Sequence, residues 1–160
     1  MVSNQQTRKV QVGDPAPDFT LPTQTGETFS LHDLLGKTAL IVYFYPKDNT
    51  GGCTVEACSF RDSYEVFKDA GAEVVGISTD SVKSHQKFAQ KYQLPFILLS
   101  DKSGAVRKLF GVPSTFVVLT KRVTYVIDKQ GIVRHIFSSQ YMPEKHVTEA
   151  LNTIKTLETK

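Results

Sequence analysis

Apolar residues along the chain fall into short runs and helical repeats that predict an alternation of strands and helices. Three continuous apolar runs, rich in β-branched and aromatic residues, are typical of strands that are covered on both faces. They are TALIVYFY at 38–45, AEVVGIST at 72–79 and FILLSD at 96–101. Nearer the C-terminus, VTYVID and IVRHIFSS flank the turn DKQG, which predicts a β-hairpin.

Helical spacing predicts the segments between these strands. Within residues 51–70, apolar side chains recur at helical spacing, and the segment ends at Gly71. The segment SVKSHQKFAQKY is a second predicted helix, with Ser81 as its N-cap, and a short helix lies around 104–110. A final helix, PEKHVTEALNTIKTLE, begins at Pro143.

The N-terminal part places a small unit in front of this alternation. The stretch FTLPTQTGETFSLHDLLGK predicts a short strand, a turn at Gly26 and a brief helix from Leu31, with Ser30 as its N-cap and Gly36 as its end. The complete order predicts an α/β fold, a mixed central sheet flanked by helices on both faces. That order matches the thioredoxin-like architecture with an N-terminal extension.

Composition narrows the class of protein. The 160 residues, 40% hydrophobic and 22% charged, are typical of one globular domain, expected over 11–160 behind a flexible segment, 1–10. The net charge of +3 is spread in pairs such as Lys121/Arg122, which argues against nucleic-acid binding. No apolar run predicts a membrane span, and the polar N-terminus lacks the core of a secretory signal. An intracellular or organellar location is expected.

The two cysteines, Cys53 and Cys58, lie five positions apart in the predicted 51–70 helix. In an α-helix this spacing gives about 140° of rotation and about 7.5 Å of rise, so the Cα atoms lie roughly 8–9 Å apart. A disulfide needs Cα atoms within about 7 Å and converging Cβ vectors. The pair therefore suits a static disulfide poorly, and bonding would require the first helical turn to unwind. Two thiols also lack the further ligands of a zinc site, because the histidines show no ligand spacing.

Cys53 follows an apolar strand and a loop, and it falls in the first turn of the helix. A helix N-terminus offers unpaired N–H donors and partial positive charge, which favour a thiolate and hence redox chemistry. Thr50 lies three residues earlier, where its hydroxyl would either contact the sulfur or cap the helix. The alternative is that Cys58 is a buried apolar side chain, as free cysteine often is. The spacing alone leaves both interpretations open.

The pattern P-x-x-x-T-x-x-C formed by Pro46, Thr50 and Cys53 resembles that of the peroxiredoxins. The stretch YPKDNTGGCTVEACSFRDSYEVFKDAGAEVVGIS is similar to the signature of their Q-type branch, the bacterioferritin comigratory proteins, including its second cysteine. The likeness continues through SHQKFAQKYQLPFILLSD and RVTYVIDKQGIVRHIF to the C-terminal helix, from about Val12 onward. It implies a thioredoxin-like fold and a thiol peroxidase that uses no metal, haem or other cofactor.

The resemblance also implies a role for each matching residue. Cys53 matches the peroxidatic cysteine, and Cys58 the resolving cysteine that forms the Cys53–Cys58 disulfide. Pro46 matches the proline that shields the nucleophile, and Thr50 the threonine that contacts the peroxide. Arg122, in KRVTY, matches the arginine that lies against the thiolate. The implied substrates are hydrogen peroxide and organic hydroperoxides, and the implied reductant is thioredoxin or a similar dithiol protein.

Similarity to this branch suggests a monomer in a bacterial or cyanobacterial cytoplasm or, once a transit peptide is removed, in a plastid. The same disulfide switch without turnover would instead make the chain a redox sensor. One departure concerns the turn before the nucleophile, where the branch usually reads T-P-G-C and this chain has Gly51 in place of the proline. Because proline pre-organises a first helical turn and glycine does not, we expect Gly51 to ease unwinding and favour the disulfide.

Overall fold

The computed structural model of the chain describes residues 9–112, 114–115, 119–120, 122–139 and 142–158. The strands in that part are β1 (Thr20–Pro22), β2 (Thr28–Ser30), β3 (Ala39–Phe44), β4 (Ala72–Ser78), β5 (Ile97–Ser100), β6 (Ser114–Thr115), β7 (Leu119–Thr120), β8 (Val123–Ile127) and β9 (Val133–Ser138). The α-helices are α1 (Gly51–Asp62), α2 (Tyr64–Asp69), α3 (Val82–Tyr92), α4 (Ala105–Phe110) and α5 (Pro143–Glu158).

A five-stranded mixed sheet, in the order β5-β4-β3-β8-β9, forms the centre of the molecule. The central strand β3 pairs in parallel with β4 and antiparallel with β8. Every residue of β3 is buried, which confirms the prediction of a strand covered on both faces. The strands predicted over 72–79 and 96–101 and the hairpin across DKQG are likewise confirmed.

Alternate residues of β3 contribute to two hydrophobic clusters, one on each face of the sheet. Ile41 and Tyr43 pack in a cluster that includes side chains from α1, α2, α3 and α5. Leu40 and Val42 pack in the second cluster, which holds side chains from α4 and from the N-terminal hairpin. The period of two along a strand places successive side chains on opposite faces. Helices therefore cover both faces, as the sequence predicts.

Three local predictions need correction. The single helix predicted over 51–70 is two helices, because the backbone at Ser63 (φ −101°, ψ 4°) leaves the helical region. The front unit contains a second strand, β2, which pairs with β1 across the turn at Gly26. The helix predicted from Leu31 is a single 3-10 turn, Leu31–Leu34. A short pair, β6 and β7, was not predicted.

Residues near both ends of the described part of the chain pack against the fold. Of the segment 1–10, predicted to be flexible, residues 1–8 lie outside the described part. Val10 is buried, and its N–H donates to the carbonyl of Phe110 at 3.2 Å.

None of the helices that the structure describes is long and apolar enough to cross a membrane. Helix α5 packs against α1 and β8, so it covers the same face of the central sheet as α1.

Candidate active site

Cys53 is the third residue of α1, at the point where the chain returns from the carboxyl end of β3. Its side chain is buried, whereas Cys58, one and a half turns further along the same helix, is partly exposed. Both thiols are free. The first N–H groups of a helix have no intrahelical acceptor, so they present partial positive charge to a sulfur in this turn. The predicted helix start and the predicted place of Cys53 in its first turn are confirmed.

Arg122 is brought to Cys53 by the pairing of β3 with β8. Phe44, the last residue of β3, lies opposite Val123, so the residue before Val123 stands beside the loop that leads into α1. The Nη1 atom of Arg122 donates to Sγ of Cys53 at 3.5 Å, and the arginine is only 4% exposed. A buried guanidinium so placed stabilises negative charge on the sulfur and on any oxygen bound against it.

Gly52 leaves the space that this approach requires. A Cβ atom at position 52 would lie 2.8 Å from Nη2 of Arg122, closer than two such atoms can stand. A Cβ atom on the neighbouring Gly51 would meet nothing within 4 Å. The two glycines of this turn therefore differ, because Gly52 makes room for the guanidinium and Gly51 faces open space.

Glu56 is a second acceptor for the Arg122 guanidinium. The same Nη1 atom of Arg122 donates to Oε1 of Glu56 at 2.6 Å, and the glutamate is fully buried. Burial raises the pKa of Glu56 to about 8, although the guanidinium of Arg122 acts in the opposite direction. The sequence interpretation missed this residue. Its position one turn after Cys53 was the available signal, because residues three apart share a helix face.

His146, from α5, completes the buried polar group. Its Nε2 atom donates to the carbonyl of Ser139 at 2.8 Å, and because a carbonyl only accepts, Nδ1 is left to accept from Oγ1 of Thr124 at 2.7 Å. Burial lowers the pKa of His146 to about 4, so the imidazole is neutral near pH 7. Its Nδ1 atom lies 3.6 Å from Oε2 of Glu56. The acidic side chain thus meets a cation on one side and a neutral ring on the other.

Pro46 and Thr50 lie in the loop between β3 and α1. Thr50 is the N-cap residue of α1, and its carbonyl accepts from the N–H of Thr54 at 2.9 Å. Its Oγ1 atom donates to the carbonyl of Lys47 at 3.0 Å and makes no capping bond. In the described part of the chain, no hydrogen bond joins Thr50 to Cys53. Pro46 is half-buried.

A second buried polar group lies behind this loop. His85 Nδ1 is 2.7 Å from Oδ2 of Asp48, although 37 residues separate the two. The sequence suggested no partner for any histidine, because the contact joins a loop to a distant helix. With Asp80, these side chains bring potential metal-binding atoms within 4.8 Å of one another. Hydrogen bonds within the protein already engage those atoms.

Residues 12–136 match the model of the AhpC/TSA family. The chain is 54% identical over 150 residues to a chloroplastic peroxiredoxin Q of Triticum aestivum, covering 93% of this chain and 69% of that one. It is also 54% identical over 148 residues to the chloroplastic peroxiredoxin Q of Arabidopsis thaliana, covering 92% of this chain and 68% of that one.

Solved structures give the same result. The peroxidoxin BcpB of Mycobacterium tuberculosis superposes with a TM-score of 0.88 at 39% identity, over 92% of this chain and 98% of that one. The bacterioferritin comigratory protein of Xanthomonas campestris, whose structures concern alkyl peroxide reduction, gives a TM-score of 0.83 at 30% identity. That match covers 93% of this chain and 98% of the other.

Proposed function

We propose, from the premise that this chain belongs to the AhpC/TSA family and is a peroxiredoxin, that Cys53 is the cysteine that reacts with the peroxide and Cys58 the one that resolves it. The observation that carries the proposal is the contact of 3.5 Å between Nη1 of Arg122 and Sγ of Cys53 at the start of α1. A buried thiol at a helix N-terminus, beside a buried guanidinium, has the surroundings of a reactive thiolate. Cys58 has no such cation at hydrogen-bonding distance among the described residues.

The first step is an attack by the Cys53 thiolate on one oxygen of the peroxide. The S–O bond forms as the O–O bond breaks, so the sulfur is oxidised to a sulfenic acid and the peroxide is reduced. The departing alkoxide or hydroxide takes up a proton and leaves as alcohol or water. Arg122 and the N–H groups of the first helical turn face the charge that develops on both oxygens. We assign Thr50 the hydrogen bond to the bound peroxide, and Pro46 the shielding of the sulfur from water.

The second step joins the two cysteines. The Cys58 thiolate attacks Sγ of Cys53, the S–S bond forms, and hydroxide leaves. Because Cys53 and Cys58 lie in one helix with diverging side chains, the first turn of α1 must unwind before the bond can form. An external dithiol then reopens the disulfide through a mixed disulfide, which returns both thiols.

Membership of the family supports the assignment of substrates, reductant and location. Peroxides are the substrates, and we assign hydrogen peroxide and organic hydroperoxides to this chain, with thioredoxin or a similar dithiol protein as reductant. The names of the curated relatives support a plastid location, whereas the bacterial or cyanobacterial cytoplasm remains an untested prediction. We propose a monomer, since both cysteines lie on one helix and the disulfide needs no second chain.

The test is peroxide consumption by the wild type, Cys53→Ser and Cys58→Ser, supplied with thioredoxin, thioredoxin reductase and NADPH. We expect the wild type to turn over and Cys53→Ser to be inactive. Cys58→Ser should reduce about one equivalent of peroxide per chain and then stop, because its sulfenic acid has no resolving thiol. A wild type that itself stops after one equivalent would contradict the proposal and favour the redox sensor. Equal activity in Cys53→Ser would remove Cys53 from its role.

A further inference from the structure

Asp48 is the most heavily hydrogen-bonded residue of the loop between β3 and α1. Its Oδ1 atom accepts from the hydroxyl of Tyr45 at 2.6 Å, and its Oδ2 atom accepts from Oγ of Ser84 at 2.8 Å. Its backbone N–H donates to Oδ2 of Asp80 at 2.8 Å. The side chain is only 1% exposed. A buried carboxylate with this set of donors fixes the position of the backbone that carries it.

His85 is the remaining hydrogen-bond partner of the Asp48 carboxylate. Its Nε2 atom faces the carbonyl of Leu99 at 2.9 Å, and a carbonyl only accepts, so Nε2 carries hydrogen. Its Nδ1 atom faces Oδ2 of Asp48 at 2.7 Å, where one further proton is needed for any hydrogen bond to exist. One proton therefore lies between Nδ1 of His85 and Oδ2 of Asp48, and both side chains are buried. This links the loop to α3 and, through Leu99, to β5.

The geometry of the loop shows what this link holds in place. Pro46 and Thr50 stand two residues before and two residues after Asp48. Asn49, which follows Asp48, has φ 65°, a left-handed conformation that few residues other than glycine, asparagine and aspartate adopt. Such a conformation persists where surrounding contacts over-determine it. Asp48 makes those contacts, and Asn49 to Gly52 lie between that fixed point and Cys53.

We propose that Asp48 and His85 are positioning residues of the peroxidase reaction, because they hold Pro46 and Thr50 in place while the start of α1 winds and unwinds. This inference rests on the proposed function above. The side chain of Asp48 bonds to Tyr45, directly after β3, and to Ser84 and His85 in α3. His85 in turn bonds to the carbonyl of Leu99 in β5, and none of these residues lies in the turn that must unwind. Asp48 then stays in place while the segment from Asn49 to Cys53 changes conformation. Losing the link should slow the reaction with peroxide, and the later formation of the disulfide should proceed at its former rate.

Two substitutions at His85 separate its hydrogen bonds. The amide nitrogen of Asn replaces Nδ1, so His85→Asn keeps a donor to Asp48 and loses the bond to Leu99. The longer His85→Gln keeps a donor to Leu99 and loses the bond to Asp48. Each variant buries one amide and deletes one ring, so a general loss of stability affects both. His135→Asn and His135→Gln are the matched controls, because His135 pairs with Glu149 at 2.8 Å on the partly exposed surface.

The experiment measures two rate constants for each variant, by rapid quenching, thiol alkylation and mass spectrometry. We expect His85→Gln to lose about tenfold or more in the rate of peroxide reduction, as small misplacements of a reacting site do, with disulfide formation unchanged. His85→Asn should stay close to the wild type in both rates. Equal losses in the two variants, or none in His85→Gln, would overturn the inference, as would a parallel fall in disulfide formation.

A second variant covers the case in which His85→Gln does not fold. Tyr45→Phe keeps the buried ring and removes the hydroxyl, which donates to Oδ1 of Asp48 and also lies 3.4 Å from Nδ1 of His85. It should show a smaller loss of the same kind, in peroxide reduction alone. The wild type and Cys53→Ser, run in the same assay, keep the two proposals apart. If the wild type does not react with peroxide, the proposed function is wrong. If the wild type reacts and the variants react equally fast, only the role of Asp48 and His85 is wrong.

Discussion

Nη1 of Arg122 lies 3.5 Å from Sγ of Cys53, although 69 residues separate them in the sequence. The same nitrogen also donates to Oε1 of Glu56 at 2.6 Å. The guanidinium is therefore fixed by the buried side chain of Glu56 beside the sulfur, and its position is set before any peroxide arrives. Preorganised charge of this kind contributes more to a reaction than charge that must move into place.

Arg122→Ala should slow peroxide reduction by more than about a hundredfold, the cost of losing a preorganised donor. A free thiol is a few per cent ionised at neutral pH, so a complete loss of thiolate stabilisation accounts for at most about thirtyfold. The measurement pairs the rate of peroxide reduction with the thiolate fraction, obtained from the pH dependence of alkylation. Thr50→Val should behave in the same way, and Arg134→Ala, on the exposed face of β9, is the control. A rate that simply follows the thiolate fraction would refute this account.

Gly52→Ala should lower peroxide reduction by about tenfold or more, because the new Cβ displaces the guanidinium from the sulfur. Gly51→Ala is the matched control, since it adds the same methyl group in open space one residue earlier. Both substitutions raise helix propensity by the same amount, about 0.5–1 kcal/mol, so propensity does not separate them. The measurement compares the rate constants of the two variants for peroxide reduction, and their thermal stability is measured beside it. Similar rates in the two variants would show that the contact at position 52 has no effect on the reaction.

Gly51→Pro should slow the formation of the Cys53–Cys58 disulfide by about two- to fivefold, which corresponds to ~0.4–1 kcal/mol. Position 51 is the first residue of α1, where proline is favoured, and Thr50 has the extended backbone (ψ 156°) that precedes proline without strain. The wound turn then persists longer after the sulfenic acid forms. Mass spectrometry should find more sulfinic Cys53 at high peroxide concentration in this variant. An equal or faster rate of disulfide formation would contradict the role given to Gly51.

Glu56 should make the stability of the protein fall as the pH rises. Burial raises the pKa of Glu56 from 4.5 to about 8, so between these values the native state keeps a proton that the unfolded state releases. Stability falls with increasing pH wherever the native state binds more protons, by up to about 1.4 kcal/mol per pH unit. Glu56→Gln cannot titrate and should lack this slope. Urea unfolding of both proteins at several pH values between 4.5 and 8 measures it, and parallel curves would exclude the effect.

Much of the fold follows from local patterns. The continuous apolar runs predicted β3, β4 and β5, and the Ser81 cap is confirmed by its hydrogen bond from the N–H of Ser84 at 3.1 Å. The break at Ser63 could not be predicted from the apolar pattern. Phe60 and Phe67, on either side of it, are both fully buried, so the helical spacing continues across the break. A pattern that records only which side chains face inward does not report a change in backbone direction.

The sequence by itself determined where Cys53 lies, and the tertiary structure decided what surrounds it. Cys53 at a helix start depends on neighbouring residues alone, so strand, loop and helix signals were sufficient. Arg122 reaches the sulfur through the pairing of β3 with β8, and His85 reaches Asp48 through the packing of α3 behind the loop. Glu56 was near enough in sequence to be noticed, but its role depends on the distant arginine. Such contacts arise from how strands align and helices pack, which no short stretch of residues specifies.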